Sequence, residues 1–453
     1  MLKREPLSRF ALLSRDAFVV GSGLFIGRTL GLVRELLLAS AFGVSAEMDA
    51  LVIALNIADL LAGILLGNAA AAVIIPPLAQ LHERQRESEF WRLSIGLANL
   101  CCCALALLSL AAMVWADLLV RVLAPGLSHD AYELAVRFTR VTGGSLILVG
   151  MAAFLTPVLQ ARRRYWVPSL TSALQNLVLI LFLLILVPVW GALSLAWGAV
   201  AGSALRLYAC YWKARREGLR WAWSADWKDS QTLQIARRMF PAILAFSILE
   251  MNLLIDRNFA SRLGEGSISA LNFADRLVQA PLAVLAGAIS LAALPRFAIH
   301  AGAEDWNALR RDLLSALGLL LVLAVPSSLL LMVLREPVLE IVFLRGAYDE
   351  AALAMTAPAL FWYASALSFH GANLILVRVF HSRTDLRTPL IFGVAILSLH
   401  IVLNVICIAR WDYVGIAISN AATAALQTLG LLFVLDRFTP LKLWGRAGAR
   451  HPR

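Results

Sequence analysis

Residues 54–61 read ALNIADLL and residues 270–277 read ALNFADRL, so six of eight positions are identical in two distant segments. Each string lies in the second long apolar block of its half of the chain. A further match follows in the same order, because Asn176 and Asn404 each lie in the middle of a later apolar block. Several matches in one order indicate that the chain contains two copies of one helical bundle.

The composition predicts that these bundles lie in a membrane. Of the 453 residues, 60% are hydrophobic and 15% are charged, whereas soluble domains seldom exceed half apolar residues. The apolar blocks reach the roughly 20 residues that cross a bilayer as a helix. The sequence therefore predicts an all-α integral membrane protein with about 12 transmembrane helices. The predicted spans are 17–42, 50–79, 90–116, 131–160, 168–188, 191–212, 237–262, 268–299, 308–333, 351–380, 389–409 and 412–435.

The longest polar connection divides these spans into two groups of six. It is basic, with Lys213, Arg215 and Arg216 at its start. We expect two six-helix lobes around a central cationic cavity, because transporters commonly bind substrate between such repeats. The predicted division is an N-terminal lobe at 1–212, a cytoplasmic linker at 213–236, a C-terminal lobe at 237–436 and a basic cytoplasmic tail at 437–453.

The distribution of basic residues predicts the orientation. Most of the 40 Lys and Arg residues lie at the N-terminus, in the loops after even-numbered spans and in the tail. Because basic loops stay in the cytoplasm, both termini are predicted to be cytoplasmic, and the repeat is parallel. The net charge of +11 is then explained by contact with anionic membrane lipids, without nucleic acid. The basic residues in the opposite loops are Arg121, Arg262, Arg335, Arg345 and Arg410.

Charged side chains within the spans are the main functional candidates, because each is costly in hydrocarbon unless it is paired or solvated. The first span contains Arg28, Arg34 and Glu35. Arg28 and Glu35 are seven residues apart, so they project from nearly one face of a helix, about 10 Å apart along its axis. The alternative is that Arg34 and Glu35 form a structural pair with neighbouring helices.

Two polar stripes lie in repeat-related spans. The second span carries Asn56 and Asp59, and the eighth carries Asn272, Asp275 and Arg276, at helical spacings of three and four. Such a stripe faces protein or water, because it cannot face lipid. Arginine clamps phosphate oxygens in pairs, so arginines from both halves in one cavity would form a pyrophosphate site. A purely structural network is the alternative.

The motifs of several other functions are absent from the sequence. The five cysteines lie in or beside apolar blocks without metal-ligand spacing, and there is no GxxxxGK[ST] phosphate loop. We therefore predict no catalytic residue, no metal and no cofactor. A drug or cation antiporter would need an acidic, aromatic cavity, and a membrane glycosyltransferase would need carboxylates on a sizeable external loop. Both are weaker interpretations than a transporter whose arginines bind the phosphate groups of an anionic substrate.

Four stretches carry a resemblance to a known family. They read GRTLGLVRELLLASAFGVSAEMDA (27–50), NLLIDRNFASRLGEGSISALNFADRLVQAPLAVL (252–285), LAPGL (123–127) with FLRGAYDEAA (343–352), and HSRTDLRTP (381–389). This pattern is similar to the MurJ/MviN family of lipid II flippases, within the multidrug/oligosaccharidyl-lipid/polysaccharide exporter superfamily. The resemblance implies a flippase of the bacterial inner membrane that moves an undecaprenyl-pyrophosphate-linked peptidoglycan precursor to the outer leaflet by alternating access. Further partners expected from it are the enzymes of cell-envelope or polysaccharide synthesis.

The resemblance also implies roles for individual residues. Arg28, Arg34 and Arg276 fall on the family's cavity arginines. Asp49 and Asp275 fall on its acidic positions, and Glu35 stands where the family usually has Asp.

The chain departs from the family pattern in the second span. Ala62 and Gly63 stand where the family has Arg, and Gly67 stands where it has Glu. In the eighth span, Gln279 replaces an expected acid. These departures keep a second substrate open, namely the lipid-linked repeat unit of an exopolysaccharide or O-antigen.

The predicted topology can be tested by cysteine labelling. We expect a cysteine placed at Ser128 to react with an impermeant maleimide in intact cells, because the third loop is predicted to be external. A cysteine at Ser230 should react only after the membrane is permeabilised. Reaction at position 230 in intact cells would contradict cytoplasmic termini.

Overall fold

The computed structural model describes residues 5–66, 68–223, 229–383, 385 and 387–443. Helices joined by short turns dominate the described residues, as expected where backbone polar groups must bond to one another inside a bilayer. Side chains cap the N-termini of several long helices, including the two helices that begin after Asp305 and Asp349. Asp305 accepts a hydrogen bond from Ala308 N–H at 2.9 Å, and Asp349 accepts one from Ala352 N–H at 2.8 Å. Each bond satisfies a donor that the first turn of the helix leaves unpaired.

The helices follow one another with few intervening residues. They are α1 (Glu5–Phe42), α2 (Ala46–Leu66), α3 (Asn68–Glu83), α4 (Glu87–Val114), α5 (Ala116–Leu123), α6 (His129–Ala161), α7 (Trp166–Ile185), α8 (Val187–Trp190), α9 (Leu193–Arg216), α10 (Ser230–Ala260), α11 (Ser267–Gly302), α12 (Trp306–Val333), α13 (Arg335–Phe343), α14 (Glu350–Ser382), α15 (Arg387–Trp411) and α16 (Val414–Phe438).

Among the described residues, nine helices are long and apolar enough to cross a membrane: α4, α6, α7, α9, α11, α12, α14, α15 and α16. Each coincides with a predicted span. The other three predicted spans coincide with α1, with α2 followed by α3, and with α10. Besides the four-residue α8, the structure has two short helices, α5 and α13, in connections between predicted spans. Each directly follows the third span of its half, at α4 and α12, so the duplication includes them.

The chain divides into two compact units, Met1–Gly266 and Ser267–Arg453. In the first unit, α6 packs against α2, α4 and α9, while α7 packs against α9. In the second unit, α14 packs against α11, α12 and α16, while α15 packs against α16. The helices that correspond in chain order therefore make corresponding contacts, which supports the predicted internal duplication.

Helix α10 belongs to the first compact unit, although the predicted C-terminal lobe begins at residue 237. It packs against α2, α3, α4 and α5. Asn258 Nδ2 donates to the carbonyl of Val122 at 2.6 Å, and Gly126 N–H donates to Ser261 Oγ at 3.3 Å. The compact unit thus ends one helix later than the predicted lobe, because tertiary contacts hold α10 to the preceding bundle. The division at 213–236 stays a prediction based on the repeat.

The ends of five helices of the first unit meet in a charged cluster around Glu217, which follows α9. Glu217 accepts hydrogen bonds from Lys213 Nζ at 2.7 Å and from Arg164 Nε at 2.9 Å, and Arg162 Nε lies 3.7 Å from its second oxygen. Arg162 also pairs with Glu87, which lies 3.0 Å from Nδ1 of His82 in α3. The Arg162 guanidinium lies 5.2 Å from the ring centre of Trp91. We call this set the Glu217 cluster. It lies at the side predicted to be cytoplasmic and joins α3, α4, α6, α7 and α9.

The protonation of Glu217 should control the stability of this cluster. Burial alone would raise the pKa of its carboxyl, but the hydrogen bonds and charges of Lys213 and Arg164 outweigh burial and lower that pKa. A carboxylate with a lowered folded-state pKa stabilises the fold above its unfolded-state pKa, and the contribution is lost as pH falls through the folded-state value. We expect Glu217→Gln to cost about 1–3 kcal/mol at neutral pH. The cost should shrink at about pH 3, as measured by thermal unfolding in detergent.

A matched control is Glu83→Gln. Glu83 Oε1 lies 3.7 Å from Arg163 Nη2, and the side chains of Glu83 and Arg163 are 68% and 70% exposed. An exposed pair of this kind contributes about 0–1 kcal/mol. Equal losses for the two variants, or a loss for Glu217→Gln that does not depend on pH, would contradict the proposed role of the cluster.

Candidate functional site

Helix α1 lies against α7 through a stripe of small residues. A Cβ atom added to Gly23 would overlap Ser169, and one added to Gly27 would come within 3.2 Å of Ser172. Gly31 continues the stripe, with an added Cβ 3.2 Å from Asn176 Nδ2. Small residues at every fourth position let two membrane helices approach this closely. The close approach brings the side chain of Asn176 within reach of the backbone and side chains of α1.

Arg34 projects from this contact. Seven residues separate it from Gly27, so it lies within about 20° of the face that touches α7. Its Nη1 donates to Asn176 Oδ1 at 2.9 Å, and its Nη2 donates to Glu35 Oε1 at 2.6 Å. The Arg34 side chain is 19% exposed and that of Glu35 is 5% exposed. A cation thus lies in the membrane-spanning part of the chain, held by one neutral and one acidic partner.

Arg28 lies on a different side of α1. It is about 100° from Gly27 around the helix, close to the direction of Glu35. The structure leaves Arg28 exposed, whereas Glu35 is buried. The predicted shared face of Arg28 and Glu35 therefore has an accessible cation at one level and a buried carboxylate at the other.

The acidic and polar candidates of α2 differ in accessibility. Asp49 is buried, and its Oδ2 accepts a hydrogen bond from Gly266 N–H at 2.8 Å. Asn56 is half-buried, whereas the side chain of Asp59 lies outside the described residues. A Cβ added to Gly63 would meet nothing within 4 Å, so α2 borders open space at that position. Of these candidates, Asp49 is engaged by backbone, and Asn56 remains accessible.

The second unit supplies the remaining candidates from α11. Asn272 is buried, while Asp275 and Arg276 are half-buried. Gln279 Nε2 donates to Asp275 Oδ1 at 3.3 Å, one helical turn away. A glutamate at position 279 would instead place a second carboxylate beside Asp275 and Arg276. The departure at Gln279 therefore keeps the surroundings of Arg276 less acidic.

In the first unit, the structure pairs Arg34 with Glu35, while Arg28 lies on another side of α1. In the second unit, Asp275 and Arg276 are half-buried neighbours on α11. The meeting of these residues in one central cavity stays a prediction. Within the ranges that the structure describes, no group of three or more His, Cys, Asp or Glu side chains could hold a metal ion.

Sequence reasoning missed the partner of Arg34. Asn176 was recognised as a repeat marker and not as part of the site. A polar residue in the middle of an apolar span was the available signal, but nothing in the sequence states which helix it faces. The sequence likewise does not reveal the partner of Arg206 in α9, whose Nη1 donates to Gln175 Oε1 of α7 at 3.2 Å.

The family described as "Lipid II flippase MurJ" matches residues 38–447 of this chain. The chain belongs to this family. Its members are transporters and not enzymes, and the chain is a multi-pass membrane protein. The family and the flippase class predicted from the sequence are both confirmed.

Curated relatives align over most of the chain. "Probable lipid II flippase MurJ" of Bdellovibrio bacteriovorus is 28% identical over 438 residues, which cover 94% of this chain and 82% of the relative. "Lipid II flippase MurJ" of Burkholderia cenocepacia is 28% identical over 445 residues, which cover 93% of this chain and 83% of the relative.

Solved structures confirm the all-helical transporter fold. The structure titled "Lipid II flippase MurJ, inward closed conformation" has a TM-score of 0.82 at 22% identity and covers 94% of this chain and 88% of its own. An inward-facing MATE family multidrug transporter of the MOP superfamily has a TM-score of 0.74 at 15% identity, covering 92% of this chain and 97% of its own. The fold of this flippase family is therefore shared with the MATE transporters.

The packing of α1 on α7 predicts opposite effects for two nearby glycines. We expect Gly23→Ala to lower the melting temperature of the purified protein, because the new methyl group would overlap Ser169 and push α1 from α7. Gly21→Ala is the matched control, since an added Cβ there meets nothing within 4 Å. Alanine is favoured over glycine in a helix by about 1 kcal/mol, so this control should be neutral or stabilised. A Gly23→Ala protein as stable as the control would contradict the close contact.

Proposed function

We propose that the chain moves lipid II, an undecaprenyl-pyrophosphate-linked glycan, from the inner to the outer leaflet of the bacterial inner membrane by alternating access. Both termini lie in the cytoplasm in this proposal. The names of the curated relatives support the substrate. The observation that carries the proposal is the set of intramembrane arginines, of which Arg28 is exposed and Arg34 and Arg276 are half-buried.

Arginine is well suited to bind the pyrophosphate group of such a substrate. A pyrophosphate presents several anionic oxygens, and a guanidinium donates two parallel hydrogen bonds to a pair of them. Arg34 has one carboxylate partner, Glu35, and one neutral partner, Asn176, so no second carboxylate competes with an anionic ligand for its remaining N–H groups. Arg276 has Asp275 beside it, and that carboxylate is itself shared with Gln279. The proposal assigns Arg28, Arg34 and Arg276 to the pyrophosphate, with Asn56, Asp59, Asp275 and Asn272 as further polar groups of the site.

Two of the candidate site residues, Asp49 and Glu35, are not accessible to a substrate as the structure places them. Asp49 and Glu35 are buried and hydrogen-bonded within the first unit, so direct contact with substrate would require a rearrangement. We propose that they act on the site through the groups they hold, which are the Gly266 backbone and the Arg34 side chain. An acidic, aromatic cavity for a drug or cation has less support, because the accessible charged side chains described in α1 are those of Arg28 and Arg34.

A lipid-linked exopolysaccharide or O-antigen unit is the second candidate. It contains the same pyrophosphate and differs in the sugar. The observation that favours it is the open space beside Gly63, at a position where the resembled family pattern has Arg. A wider, less charged site there would relax the requirement for a peptide-bearing headgroup. Enzymes of envelope or polysaccharide synthesis are the proposed partners in either case.

Complementation of a strain depleted of its own lipid II flippase tests the proposal. We expect the wild-type chain to restore growth and Arg276→Ala to fail, although the variant protein should insert normally. Arg276→Lys should also restore growth poorly, because an ammonium lacks the bidentate fork.

The control variant is Arg137→Ala, because Arg137 makes an exposed pair with Glu133 in α6 that contributes about 0–1 kcal/mol. It should restore growth like the wild type. Failure of a well-expressed wild-type chain would reject lipid II as substrate. Full rescue by Arg276→Ala would remove that arginine from the site.

A further inference from the structure

We infer that Asn176 is a positioning residue, which holds the Arg34 guanidinium in the orientation that receives the pyrophosphate. Asn176 lies in α7, 7% exposed, and its two amide atoms bond to two parts of α1. Oδ1 accepts from Arg34 Nη1 at 2.9 Å, while Nδ2 donates to the carbonyl of Gly27 at 3.0 Å. The inference rests on the proposed function, because it gives Arg34 a role in substrate binding.

The orientation of the Asn176 amide is fixed by its partners. A guanidinium can only donate hydrogen bonds, and a backbone carbonyl can only accept them. The opposite amide orientation would therefore place a donor against a donor and an acceptor against an acceptor. The backbone carbonyl of Gly27 in α1 thus fixes the orientation of the Asn176 amide. The amide in turn fixes the orientation of one edge of the Arg34 guanidinium.

Arg34 retains donors after these contacts. A guanidinium has five N–H groups, and the bonds to Asn176 and Glu35 use two of them. Among the residues that the structure describes, the buried Arg34 Nε has no hydrogen-bond partner. A buried donor without a partner costs about 1–3 kcal/mol, and an anionic oxygen that reached Nε after a rearrangement would remove that cost. The contacts therefore hold the side chain without exhausting its capacity to donate.

The neutrality of asparagine matters for this role. Glu35 already offsets the charge of Arg34, so a second carboxylate at position 176 would leave the group net negative. An amide supplies the same acceptor geometry without that charge. The repeat-related residue Asn404 contacts a different kind of side chain. Its Nδ2 lies 3.2 Å from His400 Nε2 in the second unit. The two halves therefore use the same residue differently, and Asn404 provides a matched control for the loss of a buried amide.

Binding of undecaprenyl pyrophosphate to the purified protein, titrated by native mass spectrometry, tests the inference as a double-mutant cycle. We expect Asn176→Ala and Arg34→Ala each to weaken binding roughly tenfold. In the Arg34→Ala background, Asn176→Ala should change binding less than about twofold, because its effect passes through Arg34. Asn404→Ala should lower thermal stability by a similar amount to Asn176→Ala, and it should leave binding unchanged.

A second variant covers the case in which Asn176→Ala does not fold. Asn176→Asp keeps an acceptor for Arg34, which Asn176→Ala lacks, but it loses the donor to the Gly27 carbonyl and adds a charge. We expect a protein that inserts in the membrane and binds more weakly. Wild-type binding by a folded Asn176→Ala or Asn176→Asp protein would overturn the inference alone, provided that Arg34→Ala is impaired. So would equal losses from Asn176→Ala in both backgrounds. A wild-type protein that does not bind the probe, or an Arg34→Ala protein that binds normally, would overturn the pyrophosphate site and the inference with it.

Discussion

The contact between α1 and α7 is the interaction on which the candidate site depends. Gly23, Gly27 and Gly31 remove the side chains that would otherwise separate the two helices. Within a bilayer, helices gain little from burying apolar surface against each other, because lipid is equally apolar, so close packing and hydrogen bonds decide association. The close approach allows Asn176 to reach a backbone carbonyl of α1. Arg34, a candidate site residue of α1, is then held by a side chain of α7.

The lack of water inside the bilayer also determines how this chain accommodates charged side chains. A charged side chain in the membrane-spanning region needs partners or water, and the partners differ with its position. At the ends of helices, Glu217 is surrounded by Lys213, Arg162 and Arg164, and this cluster fixes the ends of five helices. Deeper in the bundle, Arg34 has one carboxylate and one amide. The first arrangement neutralises charge and serves stability, whereas the second preserves donor capacity and suits the binding of an anion.

The two repeated units share their helix packing but differ in their polar contacts. Corresponding helices in the two units make corresponding contacts, with α6 and α14 at their centres. Helix α10 departs from this symmetry, since its contacts are with α2, α3, α4 and α5 of the first unit. The two mid-helix asparagines depart as well, because Asn176 bonds to an arginine and Asn404 to an imidazole. Duplication therefore supplies the fold, and divergence at a few polar positions supplies the chemistry.

The sequence by itself determined the membrane class, the family and the approximate positions of the long membrane helices, because 20-residue apolar blocks and an ordered repeat are local patterns that the bilayer makes obligatory. It did not predict the short helices α5 and α13. The sequence also identified Arg28, Arg34 and Arg276, since intramembrane charge is rare whatever the surrounding structure. The tertiary structure alone decided which candidates are buried, as for Asp49 and Asn272, and which are accessible, as for Arg28. It also decided the partner of Arg34, 142 positions away in the chain. A one-dimensional pattern gives the spacing of residues along a helix, but only the packing of helices fixes which faces meet.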